Sequence, residues 1–253
     1  MILDAHAHLG FDEVFDHDFS EADLVAGQEQ NGVDASLVQP GTCHGLADVQ
    51  RQHDAIADLA RRRPGRIFGI ANPSPHLPAA QYEAEVRRCI ERLHFVGLKV
   101  HPMAHAVNPL GRHGRRAFAL ASELGVPAMV HTGAGIPWAA PSLLAPVAEA
   151  HPALRIVAAH AGGGILAAEA GLLAERHGNV YLECSWTPGF LIAQWVRALG
   201  AGRVMFGSDH AENVAAELAK VRTCGLSTGE LDGVLGRAAA VAFGLPVGEG
   251  RSA

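Results

Sequence analysis

Short apolar and β-branched runs alternate with stretches of helical periodicity along nearly the whole chain. Runs of this kind, bounded by turn residues, predict strands at 2–9, 35–39, 66–71, 96–101, 127–131, 154–160, 180–185 and 203–209. Amphipathic segments lie between them. One, SEADLVAGQEQNGV, opens on a capping-box signature at Ser20 and Asp23, and another, GILAAEAGLLAERHGN, closes on Gly-Asn. Strands alternating with helices imply right-handed crossovers and a parallel sheet. Eight such units without a linker or a break in composition predict a single-domain α/β fold, a closed (β/α)8 TIM barrel over residues 1–245 with a C-terminal tail at 246–253. The alternative is an open doubly wound sheet. That fold should carry a Gly-rich fingerprint after its first strand, and HAHLGFDEVF has none.

Composition agrees with one large core. The chain has 253 residues, 49% hydrophobic and 18% charged, and a single α/β barrel needs about 250 residues. A net charge of −6 with scattered Lys and Arg argues against a nucleic-acid surface. The one basic cluster, Arg61-Arg62-Arg63 before Pro64-Gly65, reads as a helix C-terminus, where cations complement the dipole. Cys43, Cys89, Cys184 and Cys224 form no CxxC pair, so reduced thiols are expected. No basic-plus-apolar leader is visible and no run approaches the length of a membrane span, so a cytoplasmic location without membrane partners is expected.

The chemistry begins with HAH. Residues two apart on a strand share a face, so His6 and His8 can converge on one point. In a barrel enzyme the C-terminal strand ends form the active face. Polar residues collect there: His6 and His8 on the first strand, Lys99 and His101 on the fourth, His131 on the fifth and His160 on the sixth. Glu183 and Ser185 follow on the seventh and Asp209 on the eighth. Singly, each has an ordinary reading. His131 suits a hydrogen-bonded core residue, and Asp209 the N-cap of a helix beginning near His210. Gly133-Ala134-Gly135 and Gly162-Gly163-Gly164 suit loops, and Cys43 and Cys184 buried small apolar positions. Jointly, three histidines and an aspartate converging from strands 1, 5 and 8 point to a divalent metal, because an unpaired buried carboxylate is costly.

The series His6-x-His8, Lys99, His131, His160 and Asp209, set in DAHAHLG, GLKVHP, HTG, HAGG and GSDH, resembles the amidohydrolase superfamily. It is most similar to the branch containing aminocarboxymuconate semialdehyde decarboxylase and resorcylate-type decarboxylases, and the likeness runs from Asp4 to Asp209. The resemblance implies that His6, His8, His131 and Asp209 bind metal, that Asp209 also shuttles a proton, and that His160 orients water or substrate. Lys99 would bridge two metals as a carbamate or, with His101, pair with substrate beside one metal. Nitrogen and carboxylate ligands with an open position suit Zn2+, and Mn2+ or Fe2+ would also be accepted.

The implied activity is hydrolysis of a small-molecule amide, ester or lactone by metal-activated water. One alternative is non-oxidative decarboxylation of a small carboxylated substrate at the same metal, and another is a barrel retained as a non-catalytic binding protein. The chain is shorter than many members of that branch, which implies a small or open pocket. Substrate contacts are expected from the loops after strands 2, 3, 4 and 7, where His44, His105, Arg112, His113 and Trp186 would suit a small carboxylated or aromatic molecule. A small-molecule substrate is the expected partner, and homo-oligomerisation is left open.

Overall fold

The computed structural model describes residues 1–246, so the expected tail lies, apart from Pro246, outside the described residues. Nine strands form one curled sheet: β1 (Leu3–Asp12), β2 (His17–Phe19), β3 (Ala35–Pro40), β4 (Ile67–Ala71), β5 (Gly97–Val100), β6 (Ala128–His131), β7 (Ile156–Ala159), β8 (Val180–Glu183) and β9 (Val204–Met205). Neighbouring strands run parallel in chain order, except that β2 folds back antiparallel on the end of β1. The sheet closes on itself between the first and last strands. Ala5 N–H donates to the Phe206 carbonyl at 3.0 Å and Asp209 N–H to the His6 carbonyl at 2.7 Å. The buried Asp4 carboxylate accepts from Ser208 N–H at 2.9 Å and Ser208 Oγ–H at 2.6 Å, bolting the same seam.

All eight predicted barrel strands are present, and the differences lie at their ends. β1 continues to Asp12 and turns into β2, whose three residues HDF are too short and too polar to read as a strand. β9 stops at Met205, because Phe206 already bonds across to Val234 and the following residues turn over the barrel end. β7 and β8 likewise stop at Ala159 and Glu183, leaving His160, Ser185 and Asp209 on the loops just above the strands. Asp209 is not a helix cap: the next helical turn begins at Ala211, with His210 at its N-cap.

Inside the barrel, Leu37, Ile70, Met129, Val157 and Met205 form a dry layer, and the helix Ala238–Phe243 plugs its N-terminal end with alanines small enough to approach closely. Truncating Met129 there to alanine would cost about 2–5 kcal/mol. Outside, α1 (Glu21–Asn31) is capped by Ser20, whose Oγ accepts from Asp23 N–H at 3.0 Å. α2 (Leu46–Arg62) ends in the basic cluster, where Arg61, Arg62 and Arg63 pair with Asp58, Glu21 and Glu29. These exposed pairs contribute little to stability and account for the cluster as an ordinary helix end. α3 (Ala79–Arg87) follows β4. All four cysteines are free, and among the described residues no helix is long and apolar enough to cross a membrane.

Candidate metal centre

The pleat of β1 sends His6 and His8 to the inside of the barrel mouth, and the closing turn brings Asp209 over them. Asp209 Oδ1 stands 3.3 Å from His6 Nε2 and 3.2 Å from His8 Nε2. His160 completes the tightest group: His6, His160 and Asp209 each offer one ligand atom, all within 4.8 Å of one another. His8 joins that group through Asp209. His131 lines the same cavity, with its ring edge-on to His160 at 4.8 Å and stacked on His101 at 4.3 Å.

Glu183 sets the orientation of two of these rings. Its Oε2 lies 2.8 Å from His6 Nδ1 and accepts from Ser185 Oγ–H at 3.0 Å, while Ser185 Oγ in turn lies 2.8 Å from His160 Nδ1. Each imidazole therefore carries its proton on Nδ1 and turns the lone pair of Nε2 into the cavity, the arrangement a metal-binding histidine requires. Gly207 makes the close approach possible. A Cβ there would fall 2.5 Å from Glu183 Oε1 and 2.9 Å from the His6 Cβ.

Asp209 is held from its other side. Trp186 Nε1–H donates to Oδ2 at 2.8 Å, which leaves Oδ1 to face the histidines. Asp209, His160 and Trp186 all adopt left-handed backbone, with φ of 64°, 63° and 60°. Non-glycine residues held there are strained, and three such residues around one cavity mark a functional constraint. Lys99 points inward from β5, 1% exposed, with Nζ 3.0 Å from His6 Nε2. Its ammonium and a metal ion would compete for the same lone pair.

Burial fixes the protonation states. It pushes His6, His101 and His131 well below the ordinary histidine value and His160 to about 4, leaving neutral imidazoles at pH 7. Burial likewise lowers the Lys99 ammonium to about 8, against the pull of Asp209 and Glu183. The neutral nitrogens of His6 and His160 and the Asp209 carboxylate, held against burial well below the ordinary value by the surrounding histidines, form a donor set suited to a divalent cation of the zinc or manganese type.

Above these donors lies a cavity of about 320 Å³ whose walls include Phe15, Phe19 and Met103. Sequence reasoning missed these walls, along with His17 and His210, because they come from the β1–β2 hairpin and from turns without a periodic signal. Asp12 also lines the cavity, but it is occupied as a turn-former: its carboxylate accepts from the N–H groups of Val14, Phe15 and Thr42. Of the loop residues expected to meet substrate, Trp186 reaches the site through Asp209. His44, His105, Arg112 and His113 do not line the cavity: His105 is buried elsewhere, Arg112 and His44 face solvent, and His113 packs on His76.

The amidohydrolase family model matches residues 4–245. No curated protein matches the sequence. Among solved structures, the chain is similar to 5-carboxyvanillate decarboxylase from Sphingomonas paucimobilis, at 15% identity, TM-score 0.76, covering 97% of this chain and 99% of that one. It is similar to a dihydroxybenzoic acid decarboxylase from Polaromonas with bound manganese and the inhibitor 2-nitroresorcinol, at 15% identity, TM-score 0.76, covering 96% of each chain. A third is an uncharacterized TIM-barrel protein from Bordetella bronchiseptica, at 15% identity, TM-score 0.77, covering 96% of this chain and 98% of that one. At such identity the likeness shows the shared TIM-barrel fold.

Proposed function

This chain belongs to the amidohydrolase family, and from that premise we propose that it is a metal-dependent decarboxylase of a small aromatic carboxylic acid. The observation that carries this reading is the division of the cavity. Its floor is a set of nitrogen and oxygen donors, and its walls are the flat or polarisable side chains Phe15, Phe19 and Met103. That shape suits a planar ring whose carboxyl group points down. The decarboxylases of similar fold support the reading. Hydrolysis, first in the sequence reading, uses the same donors but gives no reason for the aromatic walls.

His6, His8, His131 and Asp209 would hold the ion, Mn2+ or Zn2+, with His160 beside it as the group that orients the substrate. When bound, the ion polarises and anchors the acid's oxygens. Lys99, within reach of the same position, adds a cationic contact to the carboxylate. Asp209 moves the proton: its carboxylate, steadied by the hydrogen bond that Trp186 donates to Oδ2, takes up a proton from solvent water and passes it to the ring carbon that bears the carboxylate. The carbon–carbon bond then breaks, carbon dioxide leaves, and its bonding pair restores the aromatic ring. Phe15 and Phe19 exclude water from the face of the ring while this happens.

The test is incubation with ortho-hydroxylated benzoic acids in heavy water. Release of carbon dioxide, with one deuterium at the vacated ring carbon, is expected. No turnover of such acids, together with 18O from labelled water in a new carboxylate formed from esters or lactones, would restore the hydrolase reading.

A further inference from the structure

The β1–β2 hairpin and the turn after β9 bring a second group of donors together at the cavity mouth. His17, on β2, and His210 and Glu212, on the turn, each present a ligand atom, all within 4.8 Å of one another. His210 Nδ1 lies 3.2 Å from Glu212 Oε1. Donors about 2.0–2.1 Å from a tetrahedral ion stand about 3.3 Å apart, a spacing His210 and Glu212 already have, and His17 would close on them from within 4.8 Å. The rings are also steadied from behind: Phe19 packs on His17 at 4.3 Å and on His210 at 5.1 Å, and Trp186 meets His210 edge-on at 5.9 Å.

We propose that His17, His210 and Glu212 form a second cation site, at the rim of the cavity, for a divalent transition ion of the zinc class. Two imidazoles and one carboxylate select such an ion over magnesium or calcium, which favour all-oxygen shells. The rim site is separate from the inner one, because none of its three donors is an inner donor. They remain neighbours, since His210 Nε2 lies 3.7 Å from Asp209 Oδ2. An ion at the rim places positive charge on the cavity wall formed by His17 and His210, where an incoming carboxylate would meet it. The inference stands whether the inner site serves decarboxylation or hydrolysis.

Zn2+ titrated calorimetrically into the metal-depleted full-length protein tests it. The wild type should bind two equivalents. His17→Ala and Glu212→Gln, both at accessible positions, should each keep the inner equivalent and weaken the other by about tenfold or more. Unchanged thermal unfolding of the metal-free variants confirms that they fold. His8→Ala should lose the inner equivalent and keep the rim one. A wild type that binds one equivalent, with His17→Ala identical to it, overturns the proposal. So does a second equivalent that survives in both rim variants and disappears in Lys99→Ala, which would place two ions inside the barrel.

Discussion

Two of the buried histidine–glutamate contacts among the described residues are short enough to be direct hydrogen bonds, and on the near side they are alike. His6 Nδ1 lies 2.8 Å from Glu183 Oε2 inside the barrel mouth, and His53 Nδ1 lies 2.7 Å from Glu85 Oε1 between α2 and α3. The far side of each ring differs. His53 Nε2 accepts the backbone N–H of Asn72 at 3.0 Å, and Glu85 is further bound by Arg88 and Gln50. His6 Nε2 instead faces Asp209, Lys99 and the cavity. Cys89 stands near enough to make His53, Glu85 and Cys89 resemble a metal group, yet burial and the neighbouring Glu85 push its thiol well up, so no thiolate is available. A carboxylate that orients a histidine is thus neutral about function. What the second nitrogen meets decides whether the pair is a strut or a site.

The widest gap between the two pairs should appear on breaking the histidines and the acid over them. His6→Ala and Asp209→Asn should each lower turnover by about 10³-fold or more, with metal lost in the first and partly kept in the second. His53→Ala should leave metal content at the wild-type level while lowering the melting temperature. Elemental analysis beside calorimetry separates these outcomes; metal loss in His53→Ala would erase the distinction.

Acid should expose the strut next. Burial raises the Glu85 carboxyl, but hydrogen bonds from His53, Arg88 and Gln50 outweigh it and hold the group at about 2, against an ordinary 4.5. A depressed carboxyl gives stability that is present above pH 4.5 and lost as pH falls toward 2, about 3 kcal/mol in all. Chemical denaturation between pH 5 and pH 2.5 should show that loss in the wild type. The same slope persisting in Glu85→Gln would place its origin elsewhere.

The oriented pair can then be weakened without removing a donor. Glu183→Gln should reduce metal affinity by about 10–100-fold, and Glu85→Gln should leave it unchanged, as equilibrium dialysis against a competing chelator would report. The smallest effect belongs to Trp186→Phe. Loss of one hydrogen bond to Asp209 from a side chain 51% exposed should lower kcat about five- to tenfold, with metal content constant. A rise in KM alone would assign Trp186 to substrate contact instead.

The barrel was legible because its signal is periodic: each strand is an apolar run, and each run recurs after a helix. The convergence of the inner side chains on one cavity was legible because HAH on a strand has a geometric meaning and the others sit at strand ends. The role of Glu183 was hidden, since a glutamate at a strand end does not announce which imidazole it orients. The cavity walls were hidden for another reason. Phe15 and Phe19 come from a hairpin set by a turn and three paired residues, and local composition there carries no period. Arg112 and His113 looked suited to substrate by residue type, but they lie at the start of the helix Arg112–Glu123, away from the cavity, which only three-dimensional placement reveals.

The seam between β1 and β9 has a bearing on how the molecule is made. Asp4 and Ser208 stand 204 residues apart in sequence, and the inner site straddles the joint they form. Contacts of such long separation form late, since closing a long loop carries an entropic cost that shorter contacts must first offset. A chain still emerging from the ribosome lacks Asp209 and the closing strand, so the inner group of side chains cannot assemble until both are in place. With the ligand set proposed above, metal capture would follow barrel closure and could serve as its clock.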